Sequence, residues 1–154
     1  MDKRRVNVRS IIYKNGKILA VKHRSGNSEA SYWCVPGGGL DPLEPLHDGV
    51  KREIMEETGI EARIGKLLFI QQFISVREGR EEELEFFFNI ENVDDFNEID
   101  LAKTSHGLEE IAQIAFIDPK TELVLPSFLG TVDMEGAVTS NQPTAIYNKF
   151  DERI

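Results

Sequence analysis

The first part of the chain alternates apolar and polar residues around one turn signal. Residues 6–13 and 17–21 are rich in β-branched and apolar side chains, and they flank Lys14-Asn15-Gly16. Because Asn-Gly favours the positive φ angles of a tight hairpin turn, this pattern predicts an opening β-hairpin. A polar stretch over residues 22–31 follows, and residues 32–35 are predicted to form a short strand.

Three consecutive glycines follow Pro36 at positions 37–39. A glycine has no side chain to pack and loses much backbone entropy on folding, so three in a row are poorly suited to a strand interior. The pattern therefore predicts a special loop. Residues 46–58 favour a helix, and Gly59 stands where a left-handed C-terminal cap is commonly found.

The second half of the chain is predicted to contain mainly strands. Residues 61–75 have a strand pattern that is broken near Gly65, residues 77–83 resemble a charged turn, and residues 84–90 favour another strand, so a long hairpin is expected. Residues 91–107 are acidic and irregular. Residues 111–117 resemble a buried strand, residues 119–125 a short helix, and the tail from Pro126 has no clear period.

Length and charge narrow the classes of function. A chain of 154 residues fits a single domain over residues 1–154. Its net charge of −9 should repel nucleic acid and anionic membranes, so neither a long nucleic acid nor a membrane is expected as a partner. The apolar runs are too short for a signal peptide or a membrane span, and the single cysteine, Cys34, forms no internal disulfide. A cytoplasmic location is expected.

The predicted helix gathers acidic side chains on one face. At about 100° per residue, Glu57 lies about 40° from Glu53 on one side and Glu56 about 60° on the other. Val50 and Ile54 can pack against a sheet, while Gly49 leaves room beside the acids. Like charges at this spacing repel one another, so something must offset the repulsion.

A hard divalent cation is one solution to this repulsion. Carboxylate clusters without histidine or thiol suit Mg²⁺ or Mn²⁺ rather than zinc or copper. Arg52 lies one helical turn from Glu56 and could hold its carboxylate in place. A solvated surface explains most acidic helix faces, and glycine-rich turns are frequent, so neither feature alone decides between a metal site and surface charge.

The spacing of the whole segment is more specific. It reads Gly38, five residues, Glu44, seven residues, and then Arg52-Glu53-Ile54-Met55-Glu56-Glu57-Thr58-Gly59-Ile60. This resembles the Nudix hydrolase signature at every defining position, over 23 residues, and the predicted order of elements around it agrees loosely. Two positions depart from the family pattern: Leu43 stands where many relatives have Gly, and Asp41 where many have Glu. Both bear on loop shape more than on metal chemistry.

The resemblance implies an α/β fold, a Nudix-type α/β/α sandwich with a central mixed β-sheet. It also implies Mg²⁺-dependent hydrolysis, with Mn²⁺ as a substitute, of a diphosphate linkage in a nucleoside diphosphate derivative. A homodimer is plausible on the same basis. The implied metal ligands are Glu53, Glu56, Glu57 and a backbone carbonyl of Gly37 or Gly38. The implied catalytic set is Glu53, Glu56, Arg52 and Glu44.

Other residues are candidates for the same site. Glu53 or Glu56 is expected to activate the attacking water. Glu109 and Glu110 are candidates for an additional acid that enters the site from a loop, although solvent exposure would explain either one. Substrate contacts are expected from four residues near the glycine run, with surface charge as the alternative for the two cations: Lys22, Arg24, Gly37 and Gly39.

Two other functions remain open at this point. The chain could be a nucleotide-binding regulator that has lost hydrolysis, although the presence of all three acids disfavours this. It could instead act on RNA 5′ ends, which the negative charge disfavours. The identity of the small nucleotide-type substrate is also open. Where some relatives have a Pro or Tyr that goes with ADP-ribose or dinucleoside polyphosphates, this chain has Ser75-Val76-Arg77.

Overall fold

The computed structural model describes residues 3–105 and 107–153. Two β-sheets and several short helices make up this part of the chain. In chain order, the strands and α-helices are β1 (Arg4–Ile11), β2 (Tyr13–Lys14), β3 (Lys17–Ser25), β4 (Ser28–Glu29), β5 (Gly37–Gly39), α1 (Leu46–Thr58), β6 (Ile64–Ile74), β7 (Glu82–Ile90), α2 (Gly107–Glu110), β8 (Ile111–Ile117), α3 (Met134–Thr139) and β9 (Ala145–Arg153). Short 3₁₀ helices lie at Val93–Phe96, Leu101–Lys103 and Ser127–Gly130.

The larger sheet has five strands in the order β5-β1-β7-β6-β9. Strands β1 and β7 are parallel, as are β6 and β9, whereas β5 pairs antiparallel with β1 and β6 pairs antiparallel with β7. In the smaller sheet, β3 pairs antiparallel with β2, β4 and β8. The predicted central mixed sheet is therefore confirmed.

Two hydrophobic cores lie on opposite faces of the larger sheet. Because side chains alternate along a strand, the adjacent residues Phe87 and Phe88 enter different cores. Helix α1 contributes Val50 and Ile54 to the core that contains Phe88. Helix α3 contributes Met134 to the core that contains Phe87. This arrangement of helices on both sides of a sheet confirms the predicted α/β/α sandwich.

Helix α1 has the bounds that the sequence predicts. Val50 and Ile54 are buried, and the helix ends at Gly59, which has a φ of 74° and donates its N–H to the carbonyl of Met55. Glycine adopts this left-handed conformation at little cost, so it stops the helix at a defined residue. Among the described residues, no helix is long and apolar enough to cross a membrane.

The opening hairpin is confirmed at its turn but is shorter than predicted. Asn15 and Gly16 have φ angles of 51° and 81°, and Tyr13 pairs with Ile18. Strand β1 nevertheless ends at Ile11 and pairs with β5 and β7 in the larger sheet. Ile11 and Ile12 are both fully buried but belong to different cores, so the chain passes from one sheet to the other at this point.

The second predicted hairpin is confirmed by β6 and β7, which pair from Ile64 with Ile90 to Ile74 with Glu82, although β6 begins three residues later and β7 two residues earlier than predicted. The break expected near Gly65 is present as an irregularity in register between Ile64 and Phe69. A bulge of this kind bends a strand without ending it. The interrupted pattern therefore belongs to a single continuous strand.

The glycine run is a strand, so the predicted loop is wrong. Gly37 pairs with Arg9 and Gly38 with Val8, which makes β5 an edge strand of the larger sheet. The sequence argument considered only the lack of side-chain packing. It did not include the hydrogen bonds that β1 supplies, which hold a short edge strand in place without side chains.

The helix predicted over residues 119–125 is also wrong. Asp118 forms a turn there, with its side chain accepting from Lys120 N at 2.9 Å, and the chain then becomes extended so that Val124 pairs with Trp33. The predicted strand over residues 32–35 is reduced to isolated bridges at Trp33 and Cys34. Helix α3 lies in the tail instead, where Asp133 caps it by accepting from Gly136 N at 3.0 Å.

Leu43 is expected to cost the fold stability. It has a φ of 62° and a fully exposed side chain, so it gains no burial in return for a left-handed backbone. This conformation costs a non-glycine residue about 1–2 kcal/mol, part of which is offset by the greater unfolded-state entropy of glycine. We predict that Leu43→Gly raises the free energy of unfolding by about 0.5–1 kcal/mol in urea titrations.

Leu123→Gly is the matched control. Leu123 is also an exposed leucine in a loop, but its φ is not positive. We expect this variant to be neutral or less stable than the wild type. A decrease in stability for Leu43→Gly of the same size as for Leu123→Gly would contradict the strain argument.

Candidate active site

Helix α1 brings the carboxylate of Glu53 against the backbone of β5. A Cβ atom placed on Gly38 would lie 2.6 Å from Glu53 Oε1 and 2.7 Å from Oε2, which is closer than such contacts allow. Glycine at position 38 is therefore required by this approach. One residue earlier, Gly37 N donates a hydrogen bond of 3.3 Å to Glu57 Oε1. The structure thus brings together the glycine run and two of the predicted metal ligands.

Arg52 connects the acidic side chains around it. Its Nε and Nη2 donate to the two oxygens of Glu44 at 2.8 and 2.9 Å, which is the bidentate pairing of a guanidinium with a carboxylate. Its Nη1 donates to Glu53 at 2.9 Å and to Glu56 at 3.5 Å, and Nη2 also donates to the carbonyl of Gly39 at 3.0 Å. This one cation offsets the repulsion expected among the acids and fixes the positions of Glu44 and Glu53.

Glu57 is the most deeply buried of the three predicted metal ligands, with 6% of its surface exposed. Its Oε2 has no hydrogen-bond partner in the part of the chain that the structure describes. Burial raises the pKa of Glu57 to about 8, opposed by the nearby charge of Arg9. Burial likewise raises the pKa of Glu53, although its hydrogen bond from Arg52 acts in the other direction. A buried carboxylate oxygen without a partner is costly unless a cation binds it.

These residues fit a hard cation in their chemistry. They offer oxygen atoms only, and the unpartnered Oε2 of Glu57 is a vacant acceptor beside the close approach of Glu53 and Gly38. As placed, no three His, Cys, Asp or Glu side chains of residues 3–105 and 107–150 converge as a metal-binding group. Glu53 and Glu56 are instead hydrogen-bonded to Arg52. A bound cation therefore requires these carboxylates to turn.

A cavity of about 350 Å³ is lined in part by Arg9, whose charge acts on Glu57. Gly37 joins the two regions, since its N–H binds Glu57 and its partner across the sheet is Arg9, which lines the cavity. The polar lining residues Arg9, Glu83 and Glu85 lie on β1 and β7 and are called the cavity floor. The other lining residues include His23 and four apolar or aromatic side chains, Tyr32, Val35, Phe73 and Leu125, which are called the walls.

The cavity floor is a buried network that the sequence analysis missed. Arg9 Nε donates to Glu85 Oε2 at 2.8 Å, and Asn7 Nδ2 donates to Glu83 at 2.7 Å and to Glu85 at 3.3 Å. Burial alone would lower the pKa of Arg9, but the Glu85 carboxylate raises it above its ordinary value. Ser75 and Arg77 bind the other oxygen of Glu83.

A signal for this network is present in the sequence. Polar side chains occupy every second position of β1, at Arg5, Asn7 and Arg9, and of β7, at Glu83 and Glu85. Both strands lie inside the sheet, where apolar residues are expected on both faces. A row of polar residues on one face of two paired inner strands indicates a polar cavity.

The remaining predicted residues, Lys22, Arg24, Glu109 and Glu110, are not among those that line the cavity. Glu109 and Glu110 are exposed at the end of α2, and the charge of Glu110 contributes to the raised pKa of Glu57. Lys22 Nζ lies 5.0 Å from the centre of the Trp33 ring, and Arg24 is exposed beside β4. His23, between them, lines the cavity, because alternate residues of β3 face opposite ways.

Residues 3–129 match the model of the NUDIX domain. The chain belongs to the NUDIX family. The matched region contains both the acidic helix and most of the cavity, so the family likeness and the site coincide.

Curated relatives of this NUDIX chain align with its shorter segments. CTP pyrophosphohydrolase of Escherichia coli K12 is 35% identical over 65 residues, which are 42% of this chain and 48% of that protein. Nudix hydrolase 2 of Arabidopsis thaliana is 32% identical over 63 residues, which are 40% of this chain and 23% of that protein. The alignments thus span less than half the length of these two relatives.

Solved structures are similar over nearly the whole chain. A MutT NUDIX hydrolase of Burkholderia pseudomallei has a TM-score of 0.63 at 25% identity, with 92% of this chain and 100% of that one covered. The solution structure of the E. coli ORF135 protein has a TM-score of 0.64 at 22% identity, with 92% and 95% covered. The second likeness shows the fold alone.

The buried Glu57 predicts a pH-dependent stability in this NUDIX domain. Its folded-state pKa of about 8 lies above the ordinary value of 4.5, so the folded protein holds a proton that the unfolded chain releases. The resulting stability is complete below pH 4.5 and is lost as the pH rises to about 8, at about 1.36 kcal/mol per unit of difference between the two pKa values. We expect the metal-free wild type to lose more unfolding free energy over this range than Glu57→Gln.

Urea titrations in a chelator at several pH values measure this difference. Glu135→Gln, an exposed change on α3, is the control and should keep the wild-type slope. Parallel stability curves for wild type and Glu57→Gln would contradict the assigned proton.

Proposed function

We propose that this NUDIX protein is a Mg²⁺-dependent hydrolase that cleaves a diphosphate linkage in a nucleoside diphosphate derivative. The observation that carries the proposal is the packing of Glu53 and Glu57 against the β5 backbone, with one buried Glu57 oxygen unpartnered and a cavity lined by Arg9, the sheet partner of Gly37. Carboxylates without partners are suited to a hard cation, and the cavity is suited to the rest of the substrate.

Glu53, Glu56, Glu57 and the carbonyl of Gly38 are the residues proposed to hold Mg²⁺, with Mn²⁺ as a substitute. When bound, the ion supplies positive charge to the diphosphate and lowers the pKa of a coordinated water. This local charge is needed because the net charge of −9 otherwise repels a polyphosphate.

The protein's own groups have separate roles in this proposal. Arg52 positions Glu44, Glu53 and Glu56 through its hydrogen bonds. Glu53 or Glu56 is proposed to activate the attacking water, and burial raises the pKa of Glu53. Glu110 is favoured over Glu109 as the additional acid, because its charge acts on Glu57.

The cavity is proposed to bind the nucleoside part of the substrate. Its volume of about 350 Å³ lies within the usual range for small-molecule sites. The name of the E. coli relative makes nucleoside triphosphates the first substrates to test. Diphosphoinositol polyphosphate phosphohydrolase 3-alpha of mouse is 44% identical, but over only 36 residues. Substrate contacts from Lys22, Arg24, Gly37 and Gly39, a homodimer and a cytoplasmic location stay predictions.

Replacing the buried carboxylate of Glu57 should strongly reduce the rate of hydrolysis. We predict that Glu57→Gln lowers kcat by about 100-fold or more at saturating Mg²⁺, because a neutral amide contributes less to binding and stabilising positive charge. A colorimetric assay of phosphate or pyrophosphate release from nucleoside triphosphates measures this effect. Glu135→Gln should keep wild-type activity. Full activity in Glu57→Gln would refute the proposed site, and nucleotide binding without turnover in the wild type would favour the regulator.

The glycine run offers a second test through two neighbouring variants. At Gly38 an added methyl group meets only the end of the Glu53 side chain, so we expect Gly38→Ala to fold but to lose about 10-fold or more in kcat as that carboxylate is displaced. At Gly37 the methyl group would lie 2.1 Å from the Val8 carbonyl oxygen, and the residue has a φ of 149°, so Gly37→Ala should lower stability as well. Thermal melts and activity assays separate the two results. Unchanged activity in Gly38→Ala would contradict the close approach.

A further inference from the structure

The cavity floor leaves a defined set of hydrogen-bonding atoms free. Arg9 donates through Nε to Glu85 Oε2, which also accepts from Asn7. No partner for Glu85 Oε1, or for either Nη atom of Arg9, is found among the described side chains of residues 3–105 and 107–150. Both residues line the cavity. The pair therefore presents one acceptor oxygen beside two donor nitrogens.

The orientation of these atoms is held by the surrounding network. Asn7 is fully buried, and its Oδ1 accepts from Arg5 Nε at 2.7 Å, so its Nδ2 must face the two glutamates. The Arg9 and Glu85 side chains are 14% and 5% exposed. A preorganised and largely desolvated ion pair of this kind discriminates strongly between ligands that satisfy it and ligands that do not.

One acceptor beside two donors is complementary to an edge with one donor beside two acceptors. Cytosine has this edge in its exocyclic amino group, ring nitrogen and carbonyl oxygen. Guanine presents two adjacent donors, which need two free acceptors, and only one carboxylate oxygen is free. Uracil places a carbonyl oxygen where cytosine has the amino group, opposite Glu85 Oε1. Adenine lacks the second acceptor.

We propose that Arg9 and Glu85 are specificity residues that select a substrate with a cytosine-type base, a proposal that rests on the function proposed above. Glu85 Oε1 accepts from the amino group, and the Nη atoms of Arg9 donate to the ring nitrogen and the carbonyl. Tyr32, Phe73 and Leu125 provide walls for a flat ring. Gly37, the sheet partner of Arg9, connects this floor to Glu57, so the phosphates extend towards the acids.

The first test compares substrates on the wild-type protein. We expect kcat/KM for CTP to exceed that for UTP, GTP and ATP by about 10-fold or more, because the others leave a buried charged group without its partner. A CTP analogue without the exocyclic amino group should lose a similar factor. Equal values within about twofold for CTP, UTP and the analogue would overturn the proposal.

Binding measurements separate this proposal from the hydrolytic function. If no triphosphate, nucleotide sugar or dinucleotide is hydrolysed, the proposed function fails, and calorimetric titration of CMP and UMP still decides the base preference. Tighter binding of CMP by about 10-fold supports the specificity residues. Equal binding of the two, or binding of neither, overturns them.

The second test changes the preference itself. In Glu85→Gln the amide can turn its NH₂ towards the cavity and donate to the uracil carbonyl, so the CTP-to-UTP ratio of kcat/KM should fall by about 10-fold or more. Arg9→Lys removes the paired donors and should also lower this ratio. Circular dichroism and thermal melts establish that each variant is folded, and the substrate comparison above stands alone if one is not.

Glu83→Gln is the matched control. Glu83 is also a buried carboxylate of β7, but Asn7, Ser75 and Arg77 already bind both of its oxygens. This variant should alter stability while leaving the CTP-to-UTP ratio unchanged. If Glu85→Gln and Arg9→Lys instead lower kcat/KM equally for every nucleotide, the pair contacts the common phosphates or only supports the fold, and the proposal is wrong.

Discussion

The candidate site depends on the close approach of a helical carboxylate to a strand that has no side chain at that point. Glu53 can lie against β5 only because position 38 is glycine, and it stays there because Arg52 donates to it. The same arginine holds Glu44 through two hydrogen bonds, which connects the loop before α1 to the helix itself. Without this cation, the repulsion of the acids would favour their separation.

The burial of Glu57 works against stability. Taking a carboxylate out of water raises its pKa and leaves one oxygen without a partner, which a sequence chosen for stability alone would avoid. Its neighbours on the helix, Val50 and Ile54, are packed in the core and supply the apolar burial that holds the helix in place. Functional sites are where such local conflicts are expected.

The parts of the fold that the sequence predicted well depend on local spacing. Helix α1 ends at Gly59, and the β6–β7 hairpin has the strands expected on each side of its charged turn, because short-range patterns determine both. The errors concern long-range partners. Strand β5 exists because β1, about thirty residues away in sequence, supplies its hydrogen bonds, and residues 119–125 are extended because Val124 pairs with distant Trp33. The Arg9–Glu85 pair likewise joins residues 76 positions apart.

The acids and the cavity floor belong to different elements of the fold, so each can change in sequence without the other. The acids lie on one helix, whereas the cavity floor is formed by β1 and β7, and Gly37 touches both regions through its backbone. Substitutions on the inner strands can therefore alter which molecule is held without disturbing the carboxylates. A domain divided in this way can acquire new ligands while its acidic helix is inherited intact.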